Sequence, residues 1–326
     1  MIQRRLLKVP LRQARPHLLT SLQTKRSNAL LSRPFDETKK LRETSQDFPK
    51  PNFISFDLHD SLYAPRFPIE QQYHEIASNE FGIHKSTESI KEDFVRIKAY
   101  LQEVYPNYGK NSEDIKDSDE WWLLLIVKLF QVPHFKDDQN SANLCSRLLT
   151  HFTGQKAYKL FDDVIPTLEH LRLSDIPLIA CSNSDTRIFD IAKNLGISQY
   201  FDRIFLSYDL ETTKPSKSFF DKVATSMMSS AVTKENKSQY LEKCWHVGDH
   251  KEKDYLGAVR SGWNGILLDR TNRYGLLALP PEPSEELYQN SLAEENTDKS
   301  NENLQFIANN RIVVGDLHQL SNIFKF

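Results

Sequence analysis

A carboxylate placed directly after a short apolar run is the feature that most constrains how this chain can fold. The run 53–56 reads Phe-Ile-Ser-Phe, and Asp57 follows it at once. Such a run is typical of a buried strand. Open α/β sheets place their functional groups at the carboxyl ends of the strands, where Asp57 would lie. A single Asp of this kind is more often a helix cap or a loop residue, so this interpretation depends on companions elsewhere in the chain.

Three distant segments, each at the end of a predicted strand or just before a helix, supply such companions. They carry hydroxyl and amide groups, a lysine and two further carboxylates. These residues are Ser182 and Asn183, Lys214 with Pro215, and Asp249 with Asp254. Since proline suits the first turn of a helix, we expect Pro215 to open a helix that continues through Val223.

This set of groups is what phosphoryl transfer to a carboxylate requires. A nucleophilic Asp must approach an anionic phosphate, so their mutual repulsion has to be offset. Mg²⁺ held by oxygen ligands offsets part of it. A lysine, with hydroxyl or main-chain donors, stabilises the phosphate oxygens in the transition state. The residue types therefore favour covalent catalysis by a carboxylate.

Four motifs of this chain resemble, in the same order, those of the haloacid dehalogenase-like (HAD) hydrolase superfamily. The resemblance covers about residues 53–268. It rests on Asp57-Leu58-His59-Asp60-Ser61-Leu62, Ser182-Asn183, Lys214-Pro215, and Gly248-Asp249 through Asp254. The Trp121-Trp122 pair is similar to the hydrolase domain-containing protein 3 subgroup and its fungal mitochondrial relatives. The resemblance implies an α/β fold, with a Rossmann-like parallel sheet core and an inserted α-helical cap domain.

The resemblance also implies a role for each site residue. Asp57 would be the nucleophile, and Lys214 would neutralise charge between Asp57 and the phosphate. Ser182 and Asn183 would bind the phosphate together with Lys214. Asp254 would hold metal-bound water or orient Lys214. The implied site for Mg²⁺ comprises Asp57, His59 through its main-chain carbonyl, Asp249 and Asp254.

The position two residues after the nucleophile departs from the family pattern. Family phosphatases usually carry a second Asp there as general acid and base, whereas this chain has His59 followed by Asp60. A neutral imidazole beside Mg²⁺ is a poor acid but can act as a base toward water, which predicts slow turnover that is best for esters with good leaving groups. Alternatively, His59 only shapes the pocket. Asp60 is the weaker candidate acid, because in an extended chain its side chain would point away from that of His59.

The amino-terminal residues 1–35 contain eight Lys or Arg and no Asp or Glu. An Arg-rich segment with Ser and Thr and without acids is typical of a mitochondrial transit peptide, so we expect localisation in the mitochondrial matrix. Of the 42 basic and 44 acidic residues in the chain, 34 and 44 remain after this segment. The acidic remainder argues against nucleic acid as a partner, and the longest apolar run is too short to cross a membrane.

Hydrophobic periodicity divides the rest of the chain. We expect a core domain from residues 50–64 and 163–326, a helical cap domain from residues 65–162, and a flexible acidic insertion at 280–304. The run Ile312-Val313-Val314 predicts a last edge strand. Four cations of the cap are candidate contacts for an anionic substrate, and each is equally explained as a solvated helix charge. They are Arg66, Arg96, Lys98 and Lys110.

Three functional hypotheses follow from these patterns. The first is a Mg²⁺-dependent phosphatase that acts on a small phosphorylated metabolite through an aspartyl-phosphate. The second is a catalytically weak or inactive binding or scaffold protein on the same fold. The third is a carbon–halogen hydrolase, which Asp249 and Asp254 disfavour because that chemistry needs no acidic metal site. The sequence does not define the oligomeric state.

Overall fold

The computed structural model of the chain describes residues 48–277, 303–308 and 310–324. The predicted transit peptide and nearly all of the predicted acidic insertion lie outside these residues. All of the described residues fall in one compact unit. Among them, no helix combines the length and the apolar character that a bilayer span needs.

Nine strands occur within the described ranges, and seven of them form one sheet. In chain order they are β1 (Phe53–Phe56), β2 (Tyr63–Pro65), β3 (Tyr158–Leu160), β4 (Leu178–Ser182), β5 (Arg203–Leu206), β6 (Cys244–Gly248), β7 (Asn264–Leu268), β8 (Leu304–Ala308) and β9 (Arg311–Val314). The order across the sheet is β5-β4-β1-β6-β7-β9-β8, and every neighbouring pair is parallel except β8 with β9. The predicted α/β fold with a Rossmann-like sheet is confirmed.

Helices cover both faces of this sheet. In chain order the described helices are α1 (Ile69–Phe81), α2 (Thr87–Val104), α3 (Ser118–Phe130), α4 (Gln139–His151), α5 (Val164–Leu173), α6 (Arg187–Asn194), α7 (Ser207–Leu210), α8 (Lys217–Met227), α9 (Lys237–Leu241), α10 (Gly257–Arg260) and α11 (Gln319–Ile323). Short 3₁₀ turns lie at Asn107–Gly109 and Ser198–Tyr200, and a π-helical turn spans Lys251–Leu256.

The central strands are apolar throughout because both of their faces are buried. In β1, Ile54 and Phe56 belong to one hydrophobic cluster and Phe53 to another. The residues of β4 also alternate between these two clusters along the strand. The first cluster includes side chains of α5, α6 and α11, and the second those of α8 and α10. Successive side chains of a strand point to opposite faces of the sheet, so the sheet is the middle layer of a three-layer core.

Four helices, α1 to α4, are inserted between β2 and β3, which pair with each other in antiparallel fashion. Three of these helices begin at a side-chain cap, formed by Ser86, Asp117 and Asp138. Such caps satisfy main-chain N–H groups that have no partner within the helix. The helices occupy the segment that the sequence assigns to a cap, and the domain boundaries at residues 65 and 162 remain predictions.

Two sequence-based expectations about these elements are wrong. β9, which contains Ile312 to Val314, is not the edge of the sheet, because β8 pairs outside it. The helix after Lys214 begins at Lys217 rather than at Pro215. Ser216 caps it by accepting a hydrogen bond from the main-chain N–H of Ser218. The hydroxyl cap, rather than Pro215, therefore marks the start of the helix.

Candidate active site

The sheet brings the predicted site residues to one edge. β1 lies between β4 and β6, so their carboxyl ends place Asp57, Ser182 and Asp249 side by side. The main-chain N–H of Asp57 still donates to the carbonyl of Val247, at 2.8 Å, which fixes the carboxylate at the end of the ladder. Asp57 and Ser182 are both buried.

Lys214 connects two of the predicted carboxylates. Its buried ammonium donates to Asp57 Oδ1 at 2.6 Å, to Asp254 Oδ1 at 2.7 Å and to the carbonyl oxygen of Cys181 at 2.7 Å. An ammonium has three donors, and these three contacts use all of them. The lysine therefore serves as a fixed positive charge between the two carboxylates.

The side chain of Asn183 is hydrogen-bonded to the main chain of Lys214. Its Oδ1 accepts from the N–H of Lys214 and its Nδ2 donates to the carbonyl of Lys214, both at 2.8 Å. This paired contact fixes the loop that carries the lysine. The phosphate-binding role predicted for Asn183 would therefore be carried by its main chain, and the same role of Ser182 remains a prediction.

Three carboxylates form a candidate metal centre. One oxygen each of Asp57, Asp249 and Asp254 lies within 4.8 Å of the others, in the part of the chain that the structure describes. Burial, together with Asp57 and Asp254, raises the pKa of Asp249 to about 7. Burial also raises the pKa of Asp57, against the opposing effect of Lys214. Such crowding of hard oxygen ligands fits a divalent cation of the Mg²⁺ type, which would relieve the repulsion.

Asp254 differs from the other two carboxylates because both of its oxygens have protein partners. Oδ1 accepts from Lys214 and from His246 Nε2, the latter at 3.1 Å, and Oδ2 accepts from the N–H of His250 at 3.0 Å. Although burial acts in the opposite direction, Lys214 and His246 hold the pKa of Asp254 well below its ordinary range. Of the two roles implied by the resemblance, this arrangement favours the orientation of Lys214. Asp57 and Asp249 are then the direct candidates for metal binding.

Gly248 permits this arrangement by its lack of a side chain. A Cβ atom at Gly248 would lie 2.5 Å from the carboxyl carbon of Asp254. Any larger residue would push Asp254 away from Lys214. The glycine before Asp249 is therefore required by the close approach of a site carboxylate rather than by backbone conformation.

His246 is a buried residue of the site whose partners the sequence did not reveal. Its Nδ1 lies 2.6 Å from Ser55 Oγ, and its Nε2 contacts Asp254. Burial lowers the pKa of His246, so the neutral ring donates through Nε2 and accepts from the Ser55 hydroxyl. Ser55 lies inside the strand that ends at Asp57, and a polar residue in an otherwise apolar strand is the signal that could have revealed this pair.

Ser61 and Arg270 were also missed as parts of the site. Ser61 Oγ accepts from the N–H of Asp249 at 3.0 Å and donates to Asp249 Oδ1 at 3.1 Å. Arg270 donates to the carbonyl of Ser61 at 3.0 Å and pairs with both oxygens of Asp163, at 2.7 and 2.9 Å. Asp163 follows the strand through which the chain returns from the inserted helices. Arg270 thus connects that return to the loop after Asp57.

The loop after Asp57 is not extended, so the expectation that the Asp60 side chain points away from His59 is wrong. Asp60 has φ of +62°, in the left-handed region that Asp tolerates better than most residues. Its Oδ2 lies 3.1 Å from His59 Nδ1. Partial desolvation disfavours the charged imidazole, although 44% of the His59 side chain is exposed. Asp60 and the nearby Asp57 and Asp249 outweigh this effect and raise the pKa of His59 above its ordinary value. The metal contact predicted for the His59 carbonyl remains a prediction.

Comparisons with known proteins place the chain in a family. A family model of haloacid dehalogenase-like hydrolases matches residues 52–262. An uncharacterized protein of Saccharomyces cerevisiae is 33% identical over 235 residues, which cover 70% of this chain and 75% of the yeast protein. The haloacid dehalogenase-like hydrolase domain-containing protein 3 of Danio rerio is 27% identical over 238 residues, or 71% of this chain and 90% of that protein. A 2-haloacid dehalogenase from Pseudomonas syringae has the same fold, with a TM-score of 0.51, 17% identity, and coverage of 85% of this chain and 98% of the other.

The mostly parallel sheet, with carboxylates and a lysine at the carboxyl ends of its strands, defines the class as a Rossmann-like α/β protein with a candidate metal centre. The chain belongs to the haloacid dehalogenase-like hydrolase family. The resemblance inferred from the four motifs is confirmed. The similarity of the chain to the hydrolase domain-containing protein 3 subgroup and to a fungal relative is confirmed as well.

Proposed function

We propose that this protein is a Mg²⁺-dependent phosphatase that acts on a small phosphorylated metabolite through an aspartyl-phosphate intermediate. The main support for the proposal is the contact of buried Lys214 with Asp57 Oδ1. Asp57 is also one of the three clustered carboxylates. In their ionised forms the three carboxylates and the lysine have a net charge of −2. A divalent cation would bring this charge to zero, and an anionic phosphate could then approach Asp57.

The first chemical step would be attack by a carboxylate oxygen of Asp57 on phosphorus. A P–O bond forms to Asp57, the P–O bond to the leaving group breaks, and the leaving oxygen takes a proton from His59 or from water. Lys214 stays in place during this step and offsets the charge of the carboxylate and phosphate oxygens. When bound, Mg²⁺ would supply further charge neutralisation and orient the phosphate.

The second step would regenerate the enzyme. Water attacks phosphorus, the P–O bond to Asp57 breaks, and the proton of the attacking water passes to His59 or to solvent. Ser182, buried at the end of β4, would donate to a phosphate oxygen in both steps. We also propose that helices α1 to α4 form a cap domain that excludes water until the covalent step is complete.

The test of this proposal is a screen of phosphate monoesters, together with short 2-haloacids, in Mg²⁺ and in EDTA. We expect phosphate release that requires Mg²⁺ and is blocked by a beryllium or aluminium fluoride complex with Mg²⁺. Halide release that persists in EDTA would instead indicate the dehalogenase. The absence of any turnover, with no binding of metallofluoride, would support the binding or scaffold protein, which remains the second candidate because His59 replaces the usual acid.

Replacing His59 with Asp tests the departure from the family pattern. We expect His59→Asp to raise kcat for an alkyl phosphate by about tenfold or more, since a positioned general acid contributes on the order of 10²–10⁴ to the rate. The gain should be much smaller for 4-nitrophenyl phosphate, whose leaving group needs little protonation. His59→Asn, which cannot transfer a proton, is the matched control. An unchanged or lower rate on the alkyl phosphate would show that His59 does not limit proton transfer.

Localisation in the mitochondrial matrix is likewise our proposal, and it rests on the composition of residues 1–35. A fluorescent reporter fused behind residues 1–40 should enter mitochondria. A reporter that stays in the cytosol would contradict it.

A further inference from the structure

Lys98 differs from the other three cations that the sequence singles out in the predicted cap domain. Arg66 donates to two main-chain carbonyls, Arg96 pairs with Asp93 at 2.5 Å, and Lys110 donates to the main chain of the core. For Lys98, the described residues provide neither an ion pair nor a hydrogen bond, and its polar contact is with an aromatic ring. Three of the four cations are thus occupied by the protein itself, and Lys98 is available for a ligand.

The position of Lys98 is at the junction of the inserted helices and the sheet. Its ammonium lies 6.0 Å from the ring centroid of Trp122, and the guanidinium of Arg187 lies 4.0 Å from the same centroid. Trp122 Nε1 donates to Asp185 Oδ2 at 2.9 Å. Asp185 is fully buried in the loop that follows Ser182. The Trp122 side chain thus connects Lys98 to the loop that is expected to hold the phosphate.

Lys98 has no acidic partner at this junction within the described residues. Both oxygens of Asp185 are engaged by Arg187, at 2.9 and 3.0 Å. The partial burial of Lys98 and the positive charges of Arg187 and Lys253 lower the pKa of Lys98, and Asp185 opposes them. A lysine that has no counter-charge in a partly desolvated position favours an anionic ligand.

Aromatic side chains join this junction to the loop that follows the nucleophile. Tyr63 and Tyr158 are buried with ring centroids 5.2 Å apart. Burial raises the pKa of Tyr63 well above its ordinary value, and the charges of both Asp57 and Arg187 act on it. Tyr63 and Tyr158 also contact the ring of His59, with centroids 5.7 and 6.5 Å apart, and further ring contacts connect Tyr158 to Trp122. An apolar wall therefore joins the loop after Asp57 to the junction.

We propose that Lys98, supported by the unused donors of Arg187, binds a second anionic group of the substrate. The preferred substrates would be phosphate monoesters that carry a carboxylate or another phosphate beyond the ester being hydrolysed. This inference rests on the proposed function, which identifies the first anionic group as the phosphate that reacts with Asp57.

The test measures binding to the full chain carrying Asp57→Asn, by calorimetry in Mg²⁺. The ligands are alkyl phosphates of two to five carbons, each with a methyl, a carboxylate or a second phosphate at the far end. We expect about tenfold tighter binding for the best doubly anionic ligand, equivalent to about 1.4 kcal/mol, and the two anionic series distinguish carboxylate from phosphate. Adding Lys98→Met should remove this preference and leave the affinity for the methyl series unchanged. Lys91→Met, an exposed lysine of the same helix, is the matched control.

The outcomes separate this inference from the proposed function. Equal affinities for the three series, or a preference that survives Lys98→Met, would overturn the role of Lys98. If the preference depends on Lys98 but the unsubstituted chain hydrolyses none of the esters, the anion site stands and the phosphatase proposal fails. If the unsubstituted chain hydrolyses methyl-ended and anionic esters with the same kcat/KM, the phosphatase proposal stands and the role of Lys98 fails.

Discussion

Replacing Asp57 with Asn is expected to lower phosphate ester turnover by at least about 10³-fold, which corresponds to about 4 kcal/mol of lost transition-state stabilisation. An amide is a poor nucleophile, and it cannot form the aspartyl-phosphate. The substitution also removes the negative charge that Lys214 contacts at 2.6 Å. Initial rates in Mg²⁺ measure the loss. Mass spectrometry of acid-quenched protein should detect a phosphoryl group on residue 57 of the unsubstituted chain and none on the variant.

The fold should survive this substitution, because Asn has the shape of Asp and one of three mutually repelling carboxylates is removed. Asp190→Asn, at an exposed position of α6, is the matched control and should keep its rate. Deamidation of the introduced amide would restore the nucleophile, so the mass of the peptide that contains residue 57 must be checked in each preparation. Full activity in a preparation whose introduced amide is intact would remove Asp57 as the nucleophile.

Replacing Lys214 with Met is expected to affect both stability and activity. Two buried carboxylates, Asp57 and Asp254, would lose their shared counter-charge. Removing one partner of a buried ion pair typically lowers the free energy of unfolding by about 3–5 kcal/mol, because the remaining charge is left uncompensated. Since the lysine also stabilises the phosphate in the transition state, kcat should fall by about 10²–10³-fold. Denaturant unfolding in EDTA and initial rates in Mg²⁺ measure the two effects.

Lys217→Met provides the matched control for Lys214, since it makes the same change three residues later. Lys217 is exposed and pairs with Asp221 at 2.7 Å across one helical turn. An exposed pair of this kind contributes little to stability, so the variant should differ from the unsubstituted chain by no more than about 0.5 kcal/mol. Equal unfolding free energies for the two lysine variants would show that Lys214 does not neutralise the cluster.

Much of the fold follows from local patterns in the sequence. The apolar runs before Asp57, Ser182 and Asp249 do form adjacent parallel strands. Strand ends share one edge of a parallel sheet, so residues far apart in the chain could be predicted to meet. The helices α1 to α4 were also predictable, because their apolar residues recur at a spacing of three and four. β8 escaped prediction because its five residues adjoin a polar, acidic segment.

The partners of the site residues were not predictable in the same way. Arg270 pairs with Asp163 across 107 residues, and His246 meets Ser55 across 191 residues. No periodicity relates such positions, because a hydrogen bond depends on side-chain placement to a fraction of an ångström. Asp60 reaches His59 only because its backbone adopts a left-handed conformation, which Asp allows but does not require.

The amino-acid sequence by itself determined the family, the sheet and the carboxylates, hydroxyl and lysine at its edge, because these depend on residue type and on the period of apolar residues. Only the tertiary structure decided that Asp254 and Asn183 hold Lys214. It also decided that, among the four candidate cations, Lys98 alone makes neither an ion pair nor a hydrogen bond within the described residues. These features depend on which charges meet after packing, and packing is a property of the whole chain.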